Sequence, residues 1–275
     1  MISLIICSRS SDIDVALKEN IKNTIGTDYE LVIIDNSNND YSIFSAYNEG
    51  VRRAKGDILC FMHEDILYRT EDWGKKIIAH FEDKSIGLIG FAGTHFLPST
   101  PTYWFTSPFI SENNLTNDNG DILECKKLDF FFGNTIVDIV TVDGFCFFVR
   151  RSLFKEIAFD EDTFNGFHFY DMDICMQVLK CGSRVCACND ILIEHEWSEQ
   201  SLKKIRKEFT YNNMLFFDKW KELLPISRGI DHIPPYVTER INRLYLSAYD
   251  AEKARNSKAY RLGRLLLSPF KKLKH

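Results

Sequence analysis

The sequence lacks several features that would assign it to a class at once. No apolar stretch approaches the roughly 20 residues that a membrane-spanning helix requires. The apolar start at residues 1–7 is too short for a secretory signal and has no basic residues before it, so we expect a cytoplasmic protein. An excess of basic residues is also missing, because the formal net charge of the 275 residues is −5. This charge gives no support to nucleic-acid binding across the whole molecule.

Paired cysteine motifs are missing too, although the sequence has eight cysteines. Cys7 and Cys60 lie in apolar runs, where a reduced cysteine packs as a small hydrophobic side chain. Cys181, Cys186 and Cys188 lie close together but lack the CxxC or histidine pairs of a structural zinc site. We expect reduced packing cysteines; zinc at the last three is the alternative.

The first third of the chain alternates short apolar runs with amphipathic segments. The runs at 2–7, 31–34 and 58–62 are separated by helical patterns at about 12–25 and 42–54. Continuous apolar runs of this length indicate parallel strands buried on both faces. Right-handed crossovers then predict an open α/β sheet, mostly parallel and flanked by helices.

The remaining chain is less regular at first and helical at its end. An irregular, partly β insertion at about 94–135 is expected to line a binding site. Thr70 is placed to cap a helix. These patterns predict a sheet-containing domain at 1–199 and a helical extension at 200–275. The other expected elements are strands at 86–90, 136–142, 145–149, 184–187 and 191–194, and helices at 70–81, 152–157, 171–180, 201–224 and 235–257.

Polar side chains follow each of the first three strands. Ligands bind at the carboxyl edge of an open α/β sheet. One polar strand end is typical of any loop, but three together favour a site. They are Ser8 and Arg9 after the first strand, Asp35 and Asn36 after the second, and His63, Glu64 and Asp65 after the third.

The third strand end has the spacing of a cation site. On an extended chain His63 and Asp65 face one side and Glu64 the other. An imidazole and a carboxylate that converge can bind a divalent cation, which would hold a diphosphate. His195, after the apolar run at 191–193, can complete the ligand set. The alternatives are a solvated loop start and a histidine that is only hydrogen-bonded.

Two acidic residues open the helix predicted at 171–180. Asp171 and Asp173 are two positions apart, so they point in different directions around the helix axis. We expect one to face the site as a general base and the other to stabilise the amino end of the helix through its dipole. The alternative is that both only cap the helix.

Six short motifs follow one another along residues 2–197. Each is unspecific alone, but their order and spacing resemble the family-two glycosyltransferases of the GT-A fold, in particular the streptomycin-biosynthesis-type branch. The motifs are Asp35-Asn36, Ala46-Tyr47-Asn48-Glu49-Gly50, Ala54-Lys55-Gly56-Asp57, His63-Glu64-Asp65, Val142-Asp143-Gly144 and Tyr170-Asp171-Met172-Asp173.

The resemblance implies a role for each matching residue. Asp65 matches the last acid of the DxD metal motif, with His63 in place of the first Asp and His195 as a late histidine ligand. Asp171 matches the catalytic base, and Tyr170 stands where the family has Glu. The implied nucleotide-sugar-binding residues are Ser8, Arg9, Asp35, Asn36, Asn48, Gly50, Glu64, Asp143 and Gly144.

The implied activity is transfer of a sugar, with inversion, from a nucleotide-diphosphate sugar to an acceptor hydroxyl, with Mn²⁺ or Mg²⁺ as cofactor. A UDP-sugar donor and a glycan or lipid-linked acceptor in surface polysaccharide or glycolipid synthesis are expected. One alternative is a nucleotidyltransferase, although the first loop lacks the glycine-rich sequence of that class. The other is an inactive GT-A-fold binding module.

The end of the chain has a basic amphipathic pattern. Such a segment can lie on the anionic inner face of the cell membrane, or it can pack on protein. We expect peripheral membrane binding, which suits a lipid-linked acceptor. The pattern combines Tyr260, Leu262, Leu265, Leu266, Leu267 and Phe270 with Arg261, Arg264, Lys271, Lys272 and Lys274.

Overall fold

Seven strands form the central sheet of the protein. The computed structural model describes residues 1–102, 104, 107, 109–118, 121–124, 134–196, 206–230, 233 and 235–258. The strands of the central sheet, in chain order, are β1 (Ile2–Ser8), β2 (Tyr29–Asp35), β3 (Ile58–Met62), β5 (Ile86–Gly90), β11 (Ile136–Asp138), β13 (Cys146–Arg150) and β14 (Arg184–Cys188).

Shorter strands and six helices complete the described structure. The short strands are β4 (Ile66–Tyr68), β6 (Ala92–Thr94), β7 (Phe96–Leu97), β8 (Ile110–Glu112), β9 (Asn114–Asp118), β10 (Asp121–Glu124), β12 (Thr141–Val142), β15 (Ile193–Glu196) and β16 (Ile226–Ser227). The helices are α1 (Val15–Thr24), α2 (Ile43–Arg53), α3 (Trp73–His80), α4 (Tyr170–Lys180), α5 (Arg206–Trp220) and α6 (Pro235–Asn256), and Arg151–Lys155 forms a 3-10 helix.

The central sheet is mostly parallel, as the apolar runs predict. Its strand order is β11-β14-β5-β13-β3-β1-β2. Strands β1, β2, β3, β5 and β14 point the same way, while β13 and β11 run against their neighbours. Ser8 and Asp35 are paired at the ends of β1 and β2. The predicted carboxyl edge, with its polar strand ends, is therefore formed.

Alternate side chains of the central strands enter two apolar cores. Ile5 and Phe61 face the core that α2 and α4 cover, while Leu4 and Cys60 face the core that α1 and α3 cover. Helices thus flank both faces of the sheet. Burial on both faces explains why these strands have no polar alternation.

Helix starts agree with the sequence in two cases and differ in a third. Asp14 and Ser42 cap α1 and α2 by accepting hydrogen bonds from Ala16 N and Ser45 N. The prediction for Thr70 is wrong, because α3 begins at Trp73 and the Thr70 hydroxyl accepts a hydrogen bond from Leu192 N instead. Thr70 therefore joins the loop before β15 to the loop before α3.

The helix α5 packs against α4. Trp220 is buried in the same core as the sheet, and its indole Nε1 donates to Asp173 Oδ1 at 2.8 Å. Lys219 Nζ lies 2.7 Å from the same carboxylate and 2.6 Å from Asp160 Oδ2. These contacts fix α4 from the side opposite the sheet edge. The division at residues 199 and 200 stays a prediction.

Two expectations fall partly or wholly outside the described residues. The basic amphipathic pattern after Tyr260 lies outside them, and so does part of the 94–135 insertion, whose described part contains β7 to β10. Among the described helices, none has the length and apolarity needed to cross a bilayer.

Replacing Gly50 by alanine should destabilise the protein. A Cβ atom at this position of α2 would lie 2.3 Å from Ile5 Cγ2 on β1. Overpacking of this kind costs about 1–3 kcal/mol, against about 1 kcal/mol that alanine gains over glycine inside a helix. Because the overlap with Ile5 is severe, we expect a cost of about 2–3 kcal/mol and a net loss of about 1–2 kcal/mol in urea unfolding. Arg53→Ala, an exposed change in the same helix, is the control, and equal stability of both variants would contradict the packing role.

Candidate functional site

Strand β15 brings His195 to the end of β3. It pairs antiparallel with β4, which places His195 opposite Ile66. The Glu196 N–H donates to the Asp65 carbonyl at 3.0 Å and extends this pairing. As a result, Asp65 Oδ1 lies 3.7 Å from His63 Nδ1 and 3.5 Å from His195 Nε2. Glu64 points elsewhere, as the extended spacing predicts.

These three side chains have the ligand types and spacing of a divalent-cation site. Their ligand atoms all lie within 4.8 Å of one another. Ligands about 2.1 Å from one ion are about 3–3.5 Å apart, so the observed separations require only a small adjustment. Two imidazoles and one carboxylate suit a cation such as Mn²⁺ and leave coordination positions for other oxygen ligands. The residues present therefore fit the predicted metal.

The pKa shifts of Asp65 and His63 favour cation binding, whereas a cation has to compete with a proton for His195. Burial would raise the pKa of Asp65, but contacts with His195 and His63 hold it below its ordinary value. The pKa of His195 is raised because the contact with Asp65 outweighs burial. Burial lowers the pKa of His63, so its imidazole is neutral at pH 7 and can offer a nitrogen lone pair.

Aromatic rings and a phenol hold the two imidazoles in place. His195 stacks on Phe145 with ring centroids 4.8 Å apart and planes at 17°. His63 Nε2 lies 2.9 Å from the Tyr170 hydroxyl, which donates to the Gly144 carbonyl at 3.0 Å. The site therefore rests on residues from four separate segments.

Asp171 lies at the start of α4 beside the cluster. Its Oδ1 accepts a hydrogen bond from Met172 N at 2.8 Å, and the Gly144 N–H also stabilises the carboxylate. Burial raises the pKa of Asp171 to about 7, and the nearby charge of Asp143 adds to this effect. The negative charge of Asp143 also acts to raise the pKa values of His63 and His195. A carboxylate with this pKa is suited to accept a proton near neutral pH.

Asp173 faces away from Asp171, as the helix spacing predicts. Its side chain is 1% exposed and bonds to Trp220, Lys219 and Gln177. Asp173 lies in the first turn of α4, as predicted, and also makes a buried polar contact with α5.

Several predicted donor-binding residues line the same edge. The Ser8 hydroxyl donates to Glu64 Oε2 at 2.6 Å, which joins the ends of β1 and β3. Asp35 is exposed at the end of β2, and the hydrogen bond from Ser37 N lowers its pKa. Arg9 is exposed on the loop after β1.

Three other predicted donor-binding residues make structural contacts instead. The Asn36 amide is bonded to both backbone polar groups of Tyr41. The Asn48 amide bonds to the backbone of Phe159 and joins α2 to that loop. Gly50 allows α2 to lie close to β1. These contacts support the scaffold, and a direct role of the three residues in donor binding stays a prediction.

Sequence reasoning left three contributors out of the site. Tyr170 was visible only as a departure from the family pattern, and Phe145 only as part of an apolar run. Phe167 is 47% exposed and its ring lies 5.6 Å from that of His63. No local spacing indicates these contacts, because they depend on how distant segments pack.

Five of the cysteines in the part of the chain that the structure describes are buried, as packing cysteines are expected to be. The seven cysteines there are free thiols, and Cys125 lies outside it. Cys181 is exposed and apart from the others. Cys188 Sγ donates to Asp190 Oδ1, which also lies 3.0 Å from His80 Nε2. These groups form hydrogen bonds with one another. The alternative of a zinc site formed by Cys181, Cys186 and Cys188 is not assembled.

The family model described as "Glycosyltransferase like family" matches residues 3–219. No curated protein matches the sequence. Among solved structures, the chain is similar to the mannosyltransferase PcManGT from Pyrobaculum calidifontis in complex with GDP-Man and Mn²⁺. The TM-score is 0.52 and the identity 12%, over 99% of this chain and 82% of that one.

Two further structures have the same fold. S. aureus TarS 1-349 in complex with UDP-GlcNAc gives a TM-score of 0.51 at 13% identity, over 89% of this chain and 71% of that one. GalNAc-T7 with UDP, GalNAc and Mn²⁺ gives a TM-score of 0.51 at 13% identity, over 95% of this chain. This chain spans only 57% of that protein. The predicted GT-A-type α/β fold is confirmed.

The variant Asp171→Asn should be more stable than the wild type at high pH. The ordinary pKa of 3.8 is raised to about 7 in the fold, so ionisation above pH 7 opposes folding. We expect a gain of about 1–2 kcal/mol in urea unfolding at pH 8, since partial exposure reduces the full effect. The gain should shrink below pH 7 and vanish near pH 4.

The exposed variant Asp218→Asn is the matched control and should change stability little at any pH. A gain for Asp171→Asn that is absent at pH 8, or equal at pH 8 and pH 5, would contradict the raised pKa.

Proposed function

This chain belongs to the glycosyltransferase-like family, and from that membership we propose that it transfers a sugar from a nucleotide-diphosphate sugar to an acceptor hydroxyl. The observation that carries the proposal is the convergence of His63, Asp65 and His195 at the carboxyl edge of the sheet. Asp143 lies near both histidines, and Asp171 lies near Asp143. A reaction with a diphosphate leaving group needs both a cation and a base. These two requirements account for all five side chains.

His63, Asp65 and His195 are proposed to hold a divalent cation, with Mn²⁺ preferred to Mg²⁺. Imidazole nitrogen is a poorer ligand for Mg²⁺ than for transition metals, and two of the three ligands are imidazoles. When bound, the cation neutralises the negative charge that develops on the diphosphate leaving group. Asp65 supplies the charged ligand, and Phe145 keeps the His195 ring in position.

Asp171 is proposed to act as the general base. Its pKa of about 7 leaves it able to accept the proton of the acceptor hydroxyl as that oxygen attacks the anomeric carbon. One base acting in a single displacement gives inversion at the anomeric carbon. The proton stays on the Asp171 carboxyl group until it is released to water.

The donor is proposed to bind along the ends of β1 and β2. Asp35 is exposed there for the nucleotide base, and Ser8 with Glu64 shapes the floor between β1 and β3. A UDP-sugar is the proposed donor. A glycan or lipid-linked acceptor, a cytoplasmic location and contact of the basic tail with the inner membrane face rest on the sequence pattern. The streptomycin-type branch likewise stays a prediction.

A thermal-shift panel tests the proposal. UDP-, GDP-, CDP- and dTDP-sugars are each added with Mn²⁺, with Mg²⁺ or with EDTA at pH 8, where competition by protons is small. A ligand at about 100 times its Kd stabilises the fold by about 2.7 kcal/mol, a shift of about 5 °C or more for a chain of this size. We expect this shift for one nucleotide class, larger with Mn²⁺ than with Mg²⁺.

Two variants separate cation binding from chemistry in the same panel. Asp65→Asn should lose the Mn²⁺-dependent part of the shift. Asp171→Asn should keep the shift and lose sugar transfer. The absence of a shift with every nucleotide sugar, or one that ignores the metal, would contradict a metal-dependent transferase.

A further inference from the structure

We propose that Tyr170 is a positioning residue that holds His63 in the tautomer whose Nδ1 is free to bind the cation. This inference rests on the proposed function, because it assigns His63 to the metal. It begins with the Tyr170 hydroxyl, which lies 3.0 Å from the Gly144 carbonyl oxygen and 2.9 Å from His63 Nε2. Both distances are those of hydrogen bonds.

The single proton of the Tyr170 hydroxyl determines the direction of both bonds. The Gly144 carbonyl can only accept, so the phenol must donate its proton there. The phenol oxygen then accepts from His63, and Nε2 of that ring must carry a proton. In a neutral imidazole the other nitrogen is unprotonated. The Nδ1 lone pair of His63 therefore faces Asp65 Oδ1, 3.7 Å away.

Two unprotonated acceptors that face each other repel in the absence of a cation. The separation of 3.7 Å is also too long for a hydrogen bond between them. A cation between Nδ1 of His63 and Oδ1 of Asp65 turns this unfavourable pair into two ligands. The phenol thus performs the orienting role that an outer hydrogen-bond partner has for a histidine ligand.

The surroundings of Tyr170 keep its hydroxyl in place. Its ring is buried, with the ring of Tyr47 centred 5.5 Å away and that of Phe44 6.3 Å away. Gly144 permits the approach, because a Cβ atom there would lie 2.2 Å from the phenol oxygen. The backbone acceptor and the phenol are therefore built as one unit.

This arrangement links two features that the sequence presents as separate departures. His63 stands where the family motif has Asp, and Tyr170 stands where it has Glu. A histidine ligand needs a defined tautomer, whereas a carboxylate ligand does not. Tyr170 supplies this requirement to His63 across 107 positions of sequence.

Nitrogen-15 NMR of the metal-free protein tests the tautomer directly. The signals of His63 are identified among the seven histidines by their loss in His63→Gln. In the wild type we expect a protonated Nε2 and an unprotonated Nδ1. In Tyr170→Phe this preference should be lost, while Tyr47→Phe, which removes another buried hydroxyl from the same aromatic cluster, should leave it unchanged. A proton on Nδ1 in the wild type would overturn the proposal.

Mn²⁺ binding, measured by EPR without any donor, tests the consequence. Tyr170→Phe should weaken Mn²⁺ binding about 10- to 100-fold, and Tyr47→Phe should not. In the His63→Gln background, Tyr170→Phe should cause no further loss. An equal loss in both backgrounds would show a structural effect and overturn the positioning role.

The two experiments also separate this inference from the proposed function. Absence of Mn²⁺ binding in the wild type would contradict the metal-dependent transferase, while the NMR result on the metal-free protein would still decide the tautomer. Because the wild-type spectrum alone fixes which nitrogen carries the proton, the test does not depend on how well Tyr170→Phe folds.

Discussion

The site depends on one carboxylate, Asp65, held between two histidines from distant parts of the chain. The turn between β3 and β4 places Asp65 beside His63, and the pairing of β15 with β4 brings His195 to its other side. The remaining features follow from this arrangement. The rings of Phe145 and Tyr170 keep the imidazoles in position. Without the β4–β15 ladder, His63 and Asp65 would be only a polar loop start.

Charge accumulates at this edge because the fold concentrates acids where the strands end. The negative charge of Asp143 acts to raise the pKa values of Asp171 and of both histidines. Burial is the main reason why the pKa of Asp171 is raised to about 7. Such a cluster opposes folding while no cation is bound. The opposite face of α4 carries a second buried carboxylate, Asp173, whose burial raises its pKa although Lys219 and Trp220 contact it. Helix α4 therefore joins the functional edge of the sheet to α5.

Much of this fold could be predicted because the signals are local. Apolar runs predicted the parallel strands, and the patterns at about 12–25 and 42–54 predicted the helices that Asp14 and Ser42 cap. The prediction that His63 and Asp65 face the same side follows from the geometry of an extended chain. The antiparallel direction of β13 could not be read, because an apolar run looks the same in either direction. Thr70 failed as a cap because a distant backbone group, Leu192 N, uses its hydroxyl.

Membership of a motif does not show which residues of the site face a ligand. Asn36, Asn48 and Gly50 belong to motifs that accompany the site in sequence, yet their contacts support the scaffold that presents it. Conversely, Tyr170 and His63 come from two distant segments, and no motif indicates that these segments pack together. Motif order thus identifies the family, but tertiary contacts decide which members of a motif face the ligand.

His63, Asp65 and His195 are proposed to bind one cation together. Anomalous diffraction from crystals grown with Mn²⁺ and a nucleoside diphosphate tests this most directly. We expect one strong manganese peak within bonding distance of all three side chains, with diphosphate oxygens completing its coordination. A peak bound by other residues, or none here at saturating Mn²⁺, would contradict it.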